Sequence, residues 1–109
     1  MIGGVIIFPN EHFIKVNGYS NEYWGWGGED DDMYYRLQYT KINFARPVSS
    51  TVYTMLSHKR QEHNPNRFNL LNKTKENYKR DGLNSLNYKL NGIVKYSLFT
   101  HLLIDVKEE

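Results

Sequence analysis

The stretch YWGWGGEDDD, residues 23–32, places side chains of very different chemistry side by side. Two tryptophans alternate with glycines, and four consecutive carboxylates follow them. Indole faces pack against the C–H faces of sugar rings, and glycines let backbone N–H groups approach a ligand closely because they have no Cβ. A neighbouring carboxylate could accept a proton from a sugar hydroxyl as a general base. The stretch therefore indicates a site for a sugar and a metal-bound phosphate, or else an ordinary aromatic turn before an acid-started helix.

The four carboxylates cannot all serve one site. They would repel one another, so some of them must be paired, solvated or close to a cation. On helical spacing, Glu29 and Asp32 share a face whereas Asp30 points elsewhere. The spacing of Met33 and the residues after it predicts an amphipathic helix from Asp30 to about Tyr39, and the acidic first turn favours the positive end of the helix dipole. Local pattern alone leaves a ligand site and a plain helix start as equal alternatives.

The motif MLSH places Met55 three residues before His58, where a predicted strand leads into a polar loop. A lone histidine is more often a surface or hydrogen-bonded residue than a metal ligand. Thioether sulfur is a soft ligand that suits copper(I), whereas manganese and magnesium prefer oxygen ligands. From the residue types alone, Met55 would not be paired with a hard ion. The other histidines, at positions 12, 63 and 101, have no comparable partner and are interpreted as structural or surface residues.

Composition predicts a folded chain of one domain or part of one. Of the 109 residues, 39% are hydrophobic and 24% are charged, so a globular chain is expected. The net charge of +2 is too small to indicate nucleic acid as a partner. The absence of cysteine excludes disulfides and thiolate metal sites. We find no apolar run long enough to span a membrane and no signal-peptide pattern.

Hydrophobic periodicity predicts an α/β order of elements. We expect a buried strand over residues 3–8, strands in INFARP and STVYTML on either side of Pro47, and one long or bent strand in IVKYSLFTHLLIDV. We expect helices in PNEHFIKVNG, with Asn10 as cap and Gly18 as terminator, and in RFNLLNKTKENYKR. The polar segment SHKRQEHNPNRF is predicted to be a loop.

The segment NGYSNEYWGWGGEDDDMYYRL closely resembles the signature of the β-1,4-galactosyltransferase family, glycosyltransferase family seven. GGV lies upstream of it, and ARP, MLSH, NPNRF and DGLNSLNY follow in the order and at the approximate spacing of that family. The resemblance covers essentially the whole chain. It implies an α/β chain that is the C-terminal part of a GT-A-like nucleotide-diphospho-sugar transferase fold, with a mixed sheet and a mobile lid loop.

The resemblance also implies a reaction and residues that perform it. Family members transfer galactose from UDP-galactose, with inversion, to the 4-hydroxyl of an acceptor such as N-acetylglucosamine, and they use Mn²⁺. Asp30 matches the catalytic base. Trp26 matches a tryptophan that moves on donor binding and contacts both substrates. The acceptor-binding residues would be Asp31, Arg67, Phe68 and Leu71, the donor-binding residues Gly4, Trp26, Gly27 and Glu29, and the metal ligands Met55 and His58.

A third metal ligand of the family, an aspartate in a DxD-type motif on an earlier strand, has no counterpart in these residues. We therefore interpret residues 1–109 as a galactosyltransferase C-terminal domain without the N-terminal donor-binding half. The expected partners are a UDP-sugar donor, a sugar or glycan acceptor and that other half, and this segment is not expected to bind nucleic acid or to insert directly into a membrane. The resemblance implies a Golgi lumen location with any anchor upstream. The alternative is a non-catalytic carbohydrate-binding or partner module derived from such an enzyme.

Overall fold

The computed structural model describes residues 2–47 and 53–106, and its longest helix carries the acidic motif. The helices are α1 (Asn10–Lys15), α2 (Glu29–Tyr39), α3 (Arg67–Asn72) and α4 (Thr74–Asn77), with a 3₁₀ turn at Leu83–Ser85. The strands are β1 (Tyr88–Lys95) and β2 (Thr100–Val106). None of the helices in the described part of the chain has the length and apolar character needed to cross a membrane.

Helix α2 begins one residue before the predicted start and ends at the predicted residue. Its N-cap is Gly28, whose φ of +101° lies in the left-handed region that favours glycine. A Cβ at this position would also lie 2.6 Å from Cε1 of Tyr23, so the ring of Tyr23 occupies the space beside the cap. The start of α2 is thus set by Gly28, against which the ring of Tyr23 packs.

A small apolar core joins α2 to the N-terminal part of the chain. Met33 and Leu37 are fully buried on one face of α2, as their spacing predicted. They pack with Val16, which follows α1, and with Ile2. Six partly buried residues surround this core: Ile6, Phe8, Phe13, Tyr19, Tyr34 and Ile42.

The same face of α2 also carries a buried ion pair. Nε of Arg36 donates to Oδ2 of Asp32 at 2.6 Å, and both side chains are almost completely buried. Nη1 of Arg36 donates to the carbonyl of Gly18 at 3.0 Å, and Nη2 lies 3.5 Å from Oδ2 of Asp81. Oδ1 of Asp32 accepts from the Thr74 hydroxyl at 2.7 Å. One guanidinium therefore ties α2 to the turn after α1 and to the segment that follows α4.

The strand predicted over residues 3–8 is not formed. Ile6 and Phe8 are half-buried against the core whereas Val5 and Ile7 are exposed, so the predicted alternation of sides is present. A strand also requires backbone pairing with a neighbour, and this segment pairs with no residue in the described ranges. Apolar periodicity predicted the side-chain pattern correctly and the strand pairing wrongly.

The two strands predicted around Pro47 are also absent where the structure describes them. Residues 42–47 form no strand, and Ile42 packs against the core. In STVYTML, positions 50–52 lie outside the described residues, and 53–56 form no strand.

The long C-terminal strand is instead a hairpin. β1 and β2 pair antiparallel from Tyr88↔Val106 to Lys95↔Thr100, with an irregularity between Leu90 and Gly92. The turn closes with a hydrogen bond from the Tyr96 N–H to the Phe99 carbonyl at 2.8 Å, and the two rings stack with centroids 4.6 Å apart. No glycine or proline marks this turn, so the apolar pattern predicted one long or bent strand. In the described residues the predicted mixed sheet is therefore an antiparallel pair.

The predicted helices before and after α2 are shorter than expected. Asn10 is the first residue of α1 rather than its cap, which is Pro9, and the Gly18 N–H closes the end by donating to the Phe13 carbonyl at 2.9 Å. The predicted helix from Arg67 to Arg80 divides at Lys73 into α3 and α4. The predicted loop is irregular up to residue 66 except for one isolated pairing at His63.

We predict that Asp32→Ala lowers the free energy of unfolding by about 3–5 kcal/mol, because it leaves the buried Arg36 without its closest counter-charge. Glu29→Ala is the matched control, since it removes an exposed carboxylate from the same helix and should change stability by about 0.5 kcal/mol or less. Urea unfolding of the protein that contains this chain measures both. Equal losses in the two variants would contradict the role assigned to the ion pair.

Candidate active site

The aromatic turn before α2 leaves its indoles accessible. Trp24 is 37% exposed and Trp26 is 54% exposed. Trp26 lies between two glycines with positive φ, Gly25 and Gly27. The turn therefore presents a flat apolar surface to solvent, as a platform for a sugar ring requires.

The four carboxylates after this turn lie in different environments. Glu29 is exposed, Asp30 and Asp31 are half-buried, and Asp32 is buried in its ion pair with Arg36. The carboxylate of Asp32 is thus part of the buried core and stabilises the fold. The acids that remain available for chemistry are the first three residues of α2.

Asp30 lies against the N-terminal segment. A Cβ built on Gly3 would be 2.7 Å from Oδ2 of Asp30, so this carboxylate sits directly over a glycine. Gly4, a predicted donor-binding residue, is the next residue along, and the space beside its Cα is open. Gly4 thus directly follows the glycine that lies against the predicted catalytic base.

The electrostatic surroundings of Asp30 make it a stronger base than an ordinary aspartate. Partial burial raises the pKa of its carboxyl above the usual 3.8, and the charges of Glu29 and Asp31 raise it further. The sequence indicated two opposing influences on this carboxyl: the helix dipole, which favours its ionised form, and repulsion among the four acids, which disfavours it. Burial and like charge together outweigh the dipole here.

Tyr19 is a neighbour of these carboxylates that sequence analysis missed. Burial raises the pKa of its hydroxyl, and the charges of Asp30 and then Glu29 add to the effect. The hydroxyl therefore remains protonated at neutral pH, and it lies close enough to Asp30 and Glu29 for their charges to act on it. Nothing in the local sequence distinguishes Tyr19 from the other tyrosines of this chain, which has nine. Its position beside the acids results from its packing against the core.

The predicted acceptor-binding residues of α3 lie against the glycines of the aromatic turn. A Cβ on Gly27 would be 3.1 Å from Cδ of Arg67, and one on Gly28 would be 3.2 Å from its Cβ. The Arg67 guanidinium lies 4.5 Å from the centre of the Phe68 ring, a cation–π contact, and Nη1 donates to the Asn64 carbonyl at 2.9 Å. Phe68 is 62% exposed. Arg67 and Phe68 thus form one unit beside the Trp26 turn.

The remaining predicted site residues are Leu71, Met55 and His58. Leu71, on α3, is half-buried. Met55 and His58 are exposed, and no hydrogen bond or ion pair within residues 2–47 and 53–106 joins either one to Asp30. The same described residues contain no cluster of three or more histidine and carboxylate groups suited to a metal. The metal assignment therefore stays a prediction.

The fold of this chain matches part of a galactosyltransferase catalytic domain. The catalytic domain of Drosophila β1,4-galactosyltransferase 7, crystallised in complex with xylobiose, aligns with a TM-score of 0.70 at 26% sequence identity, covering 91% of this chain and 46% of that one. A variant of that enzyme in complex with manganese, UDP-Gal and xylobiose aligns with a TM-score of 0.61, at the same identity and coverage. This chain thus shares the fold of part of a galactosyltransferase catalytic domain.

Sequence relatives identify the family. A family model described as the N-terminal domain of galactosyltransferase matches residues 1–59. β-1,4-galactosyltransferase 2 of Mus musculus is 41% identical over 108 residues, covering 95% of this chain and 29% of the relative. β-1,4-galactosyltransferase 1 of Bos taurus is also 41% identical, over 95% of this chain and 27% of the relative. The chain belongs to the β-1,4-galactosyltransferase family, which confirms the resemblance found in its motifs, and it spans less than a third of the length of these curated relatives.

We predict that Asp30→Asn stabilises the fold at neutral pH. The folded-state pKa of Asp30 is raised, so its contribution to stability is fully present below the unfolded-state pKa and is lost as pH rises through the folded-state value. Asparagine removes the ionised group that opposes folding at pH 7, whereas at pH 3 the native carboxyl is largely protonated in both states. Thermal melts should show a higher midpoint for the variant at pH 7 and a smaller difference at pH 3. A variant that melts lower than the wild type at pH 7 would contradict this assignment.

Proposed function

We propose that the protein containing this chain is an inverting galactosyltransferase that transfers galactose from UDP-galactose to the 4-hydroxyl of an acceptor sugar such as N-acetylglucosamine. The observation that carries the proposal is the place of Asp30. It is half-buried at the start of α2, has a raised pKa and is available for chemistry, whereas Asp32 is paired in the core. It follows the exposed indole of Trp26 by four positions, in a chain of the β-1,4-galactosyltransferase family.

In this proposal Asp30 is the general base. Its carboxylate takes the proton of the acceptor 4-hydroxyl as that oxygen attacks the anomeric carbon of galactose, and the bond to UDP breaks on the opposite face. A single displacement of this kind inverts the anomeric configuration. The raised pKa favours proton transfer to the carboxylate, since a base is more effective as its pKa approaches the working pH.

The acceptor would lie between the indole of Trp26 and the residues of α3. Trp26 offers an exposed ring face, and the exposed Phe68 ring offers a second apolar surface. Arg67 supplies guanidinium N–H donors beside the Phe68 ring, and the half-buried Asp31 supplies an acceptor for sugar hydroxyls. Apolar faces with a few directed polar groups are what recognition of a pyranose needs.

The donor diphosphate would be bound through Mn²⁺, with Met55 and His58 as two of its ligands. Nδ1 of His58 lies 3.0 Å from the Lys59 carbonyl oxygen. With the proton on Nδ1 this contact is a hydrogen bond, and Nε2 keeps the lone pair that a metal requires. Met55 is 89% exposed, so its sulfur is accessible. When bound, Mn²⁺ would neutralise the charge that builds on the UDP leaving group.

Other parts of the proposal concern the whole protein. We infer that residues 59–66 are a mobile lid, because they run from a proposed metal ligand to the acceptor-binding helix α3. The uridine pocket and further oxygen ligands for the metal would come from a part of the catalytic domain outside these 109 residues, with residues 1–109 as its C-terminal part. Family resemblance supports a Golgi lumen location.

We predict that Asp30→Asn, in the enzyme that contains this chain, lowers kcat by about 10²- to 10⁴-fold while the KM for UDP-galactose changes little. The amide keeps the size of the side chain but cannot accept the proton. Asp31→Asn is the matched control and should act mainly through the acceptor KM. Transfer of labelled galactose to N-acetylglucosamine measures both variants. A wild-type protein that binds sugars without transferring galactose would instead support the carbohydrate-binding module.

We predict that Met55 sets the preference among metals and that His58 sets metal affinity. Mg²⁺ demands hard oxygen ligands more strictly than Mn²⁺ does, so Met55→Gln should raise activity with Mg²⁺ relative to Mn²⁺. His58→Ala should weaken activation by either ion. Metal titrations of both variants, with thermal melts to exclude unfolding, test this. An unchanged ratio of the two activities in Met55→Gln would remove Met55 from the ligand set.

A further inference from the structure

The segment before α3 pairs with the aromatic turn at one point. The Trp26 N–H donates to the Glu62 carbonyl at 2.8 Å, and the Asn64 N–H donates to the Trp26 carbonyl at 2.9 Å. Together these bonds form an isolated parallel bridge between Trp26 and His63. The indole-bearing residue is thus held by its own backbone to the segment that leads into the acceptor-binding helix.

The glycine before the tryptophan permits this approach. Gly25 has a φ of +83°, and a Cβ at this position would lie 3.1 Å from the Glu62 carbonyl oxygen. A side chain here would be strained by the backbone conformation and would crowd the oxygen that accepts from Trp26. Gly25 is therefore part of the pairing as well as part of the turn.

The two paired residues also touch through their rings. The imidazole of His63 and the indole of Trp26 have centroids 4.7 Å apart, with an angle of 41° between the planes. This spacing is typical of a favourable aromatic pair. Trp26 nevertheless remains 54% exposed, so the contact supports the indole while leaving most of its surface open to a ligand.

We propose that His63 is a positioning residue for Trp26: its ring fixes the angle of the indole, and the backbone bridge holds the segment 62–64 against the aromatic turn. Its effect on catalysis rests on the proposed function and on the contact of Trp26 with both substrates that the family resemblance implies. The imidazole needs no proton transfer for this role. It acts as a flat ring, and a phenyl ring can replace it.

The experiment uses the enzyme that contains this chain and three variants: His63→Ala, His63→Phe and, as a matched control, His101→Ala, which removes an exposed histidine on β2. His63→Ala should raise the KM for donor and acceptor about three- to tenfold, the range expected when an aromatic pair is lost, with a smaller change in kcat. His63→Phe should restore wild-type values, and His101→Ala should match the wild type. A general loss of stability would not be rescued by phenylalanine in this way.

A double-mutant cycle with Trp26→Ala isolates the contact. If His63 acts through Trp26, His63→Ala should have little further effect once the indole is absent. Additive effects, or an equal loss in His63→Phe and His63→Ala, would overturn the proposal.

A readout that needs no turnover completes the test. Acrylamide quenching of the Trp26 fluorescence, obtained by subtracting the spectrum of Trp26→Phe, should increase in His63→Ala and stay at the wild-type level in His63→Phe. Unchanged quenching in His63→Ala would overturn the positioning role. Absence of galactose transfer by the wild-type enzyme, with the quenching change present, would overturn the proposed function and leave the ring contact established.

Discussion

The buried guanidinium of Arg36 is the constraint on which the rest of the arrangement depends. A charge at this depth requires partners, because leaving it unpaired would cost several kcal/mol. Its partners come from separate parts of the chain: Asp32 in the same helix, the Gly18 carbonyl after α1, and Asp81 beyond α4. Asp81 in turn accepts from the Asn21 N–H at 2.9 Å and from the Ser20 hydroxyl. Pairing this one guanidinium therefore holds together α2, the residues that precede the aromatic turn and the segment after α4.

This constraint also sorts the acidic motif. Arg36 and Thr74 occupy both oxygens of Asp32, which turns the last carboxylate inward. Asp30 points elsewhere at the start of the helix, where it meets Gly3, and burial and the charges of Glu29 and Asp31 raise its pKa. A structural ion pair and a carboxylate with a raised pKa thus result from the same run of four residues, because consecutive positions of a helix point in different directions.

Glycines join the aromatic turn to the rest of the site. Gly25 admits the backbone of Glu62, and Gly27 and Gly28 admit the side chain of Arg67. The result is that Trp26, His63 and the start of α3 form one contact region, although about 40 residues of chain separate them. A side chain at any of these glycines would be strained by the positive φ and would crowd Glu62 or Arg67.

The sequence by itself determined the family, helix α2 and the apolar face of that helix, because signature residues and 3.6-residue periodicity are local properties. It also indicated that four adjacent carboxylates could not share one role. The hairpin turn at Tyr96–Phe99 and the break of the helix at Lys73 contain no glycine or proline, so the sequence did not mark them. That residues 3–8 pair with no strand in the described residues was not predictable either, since pairing depends on partners distant in sequence. His63 shows this most clearly. From the sequence it was interpreted as a structural or surface residue without a partner, and only the tertiary structure placed its ring against Trp26, because the contact accompanies a backbone bridge that Gly25 permits.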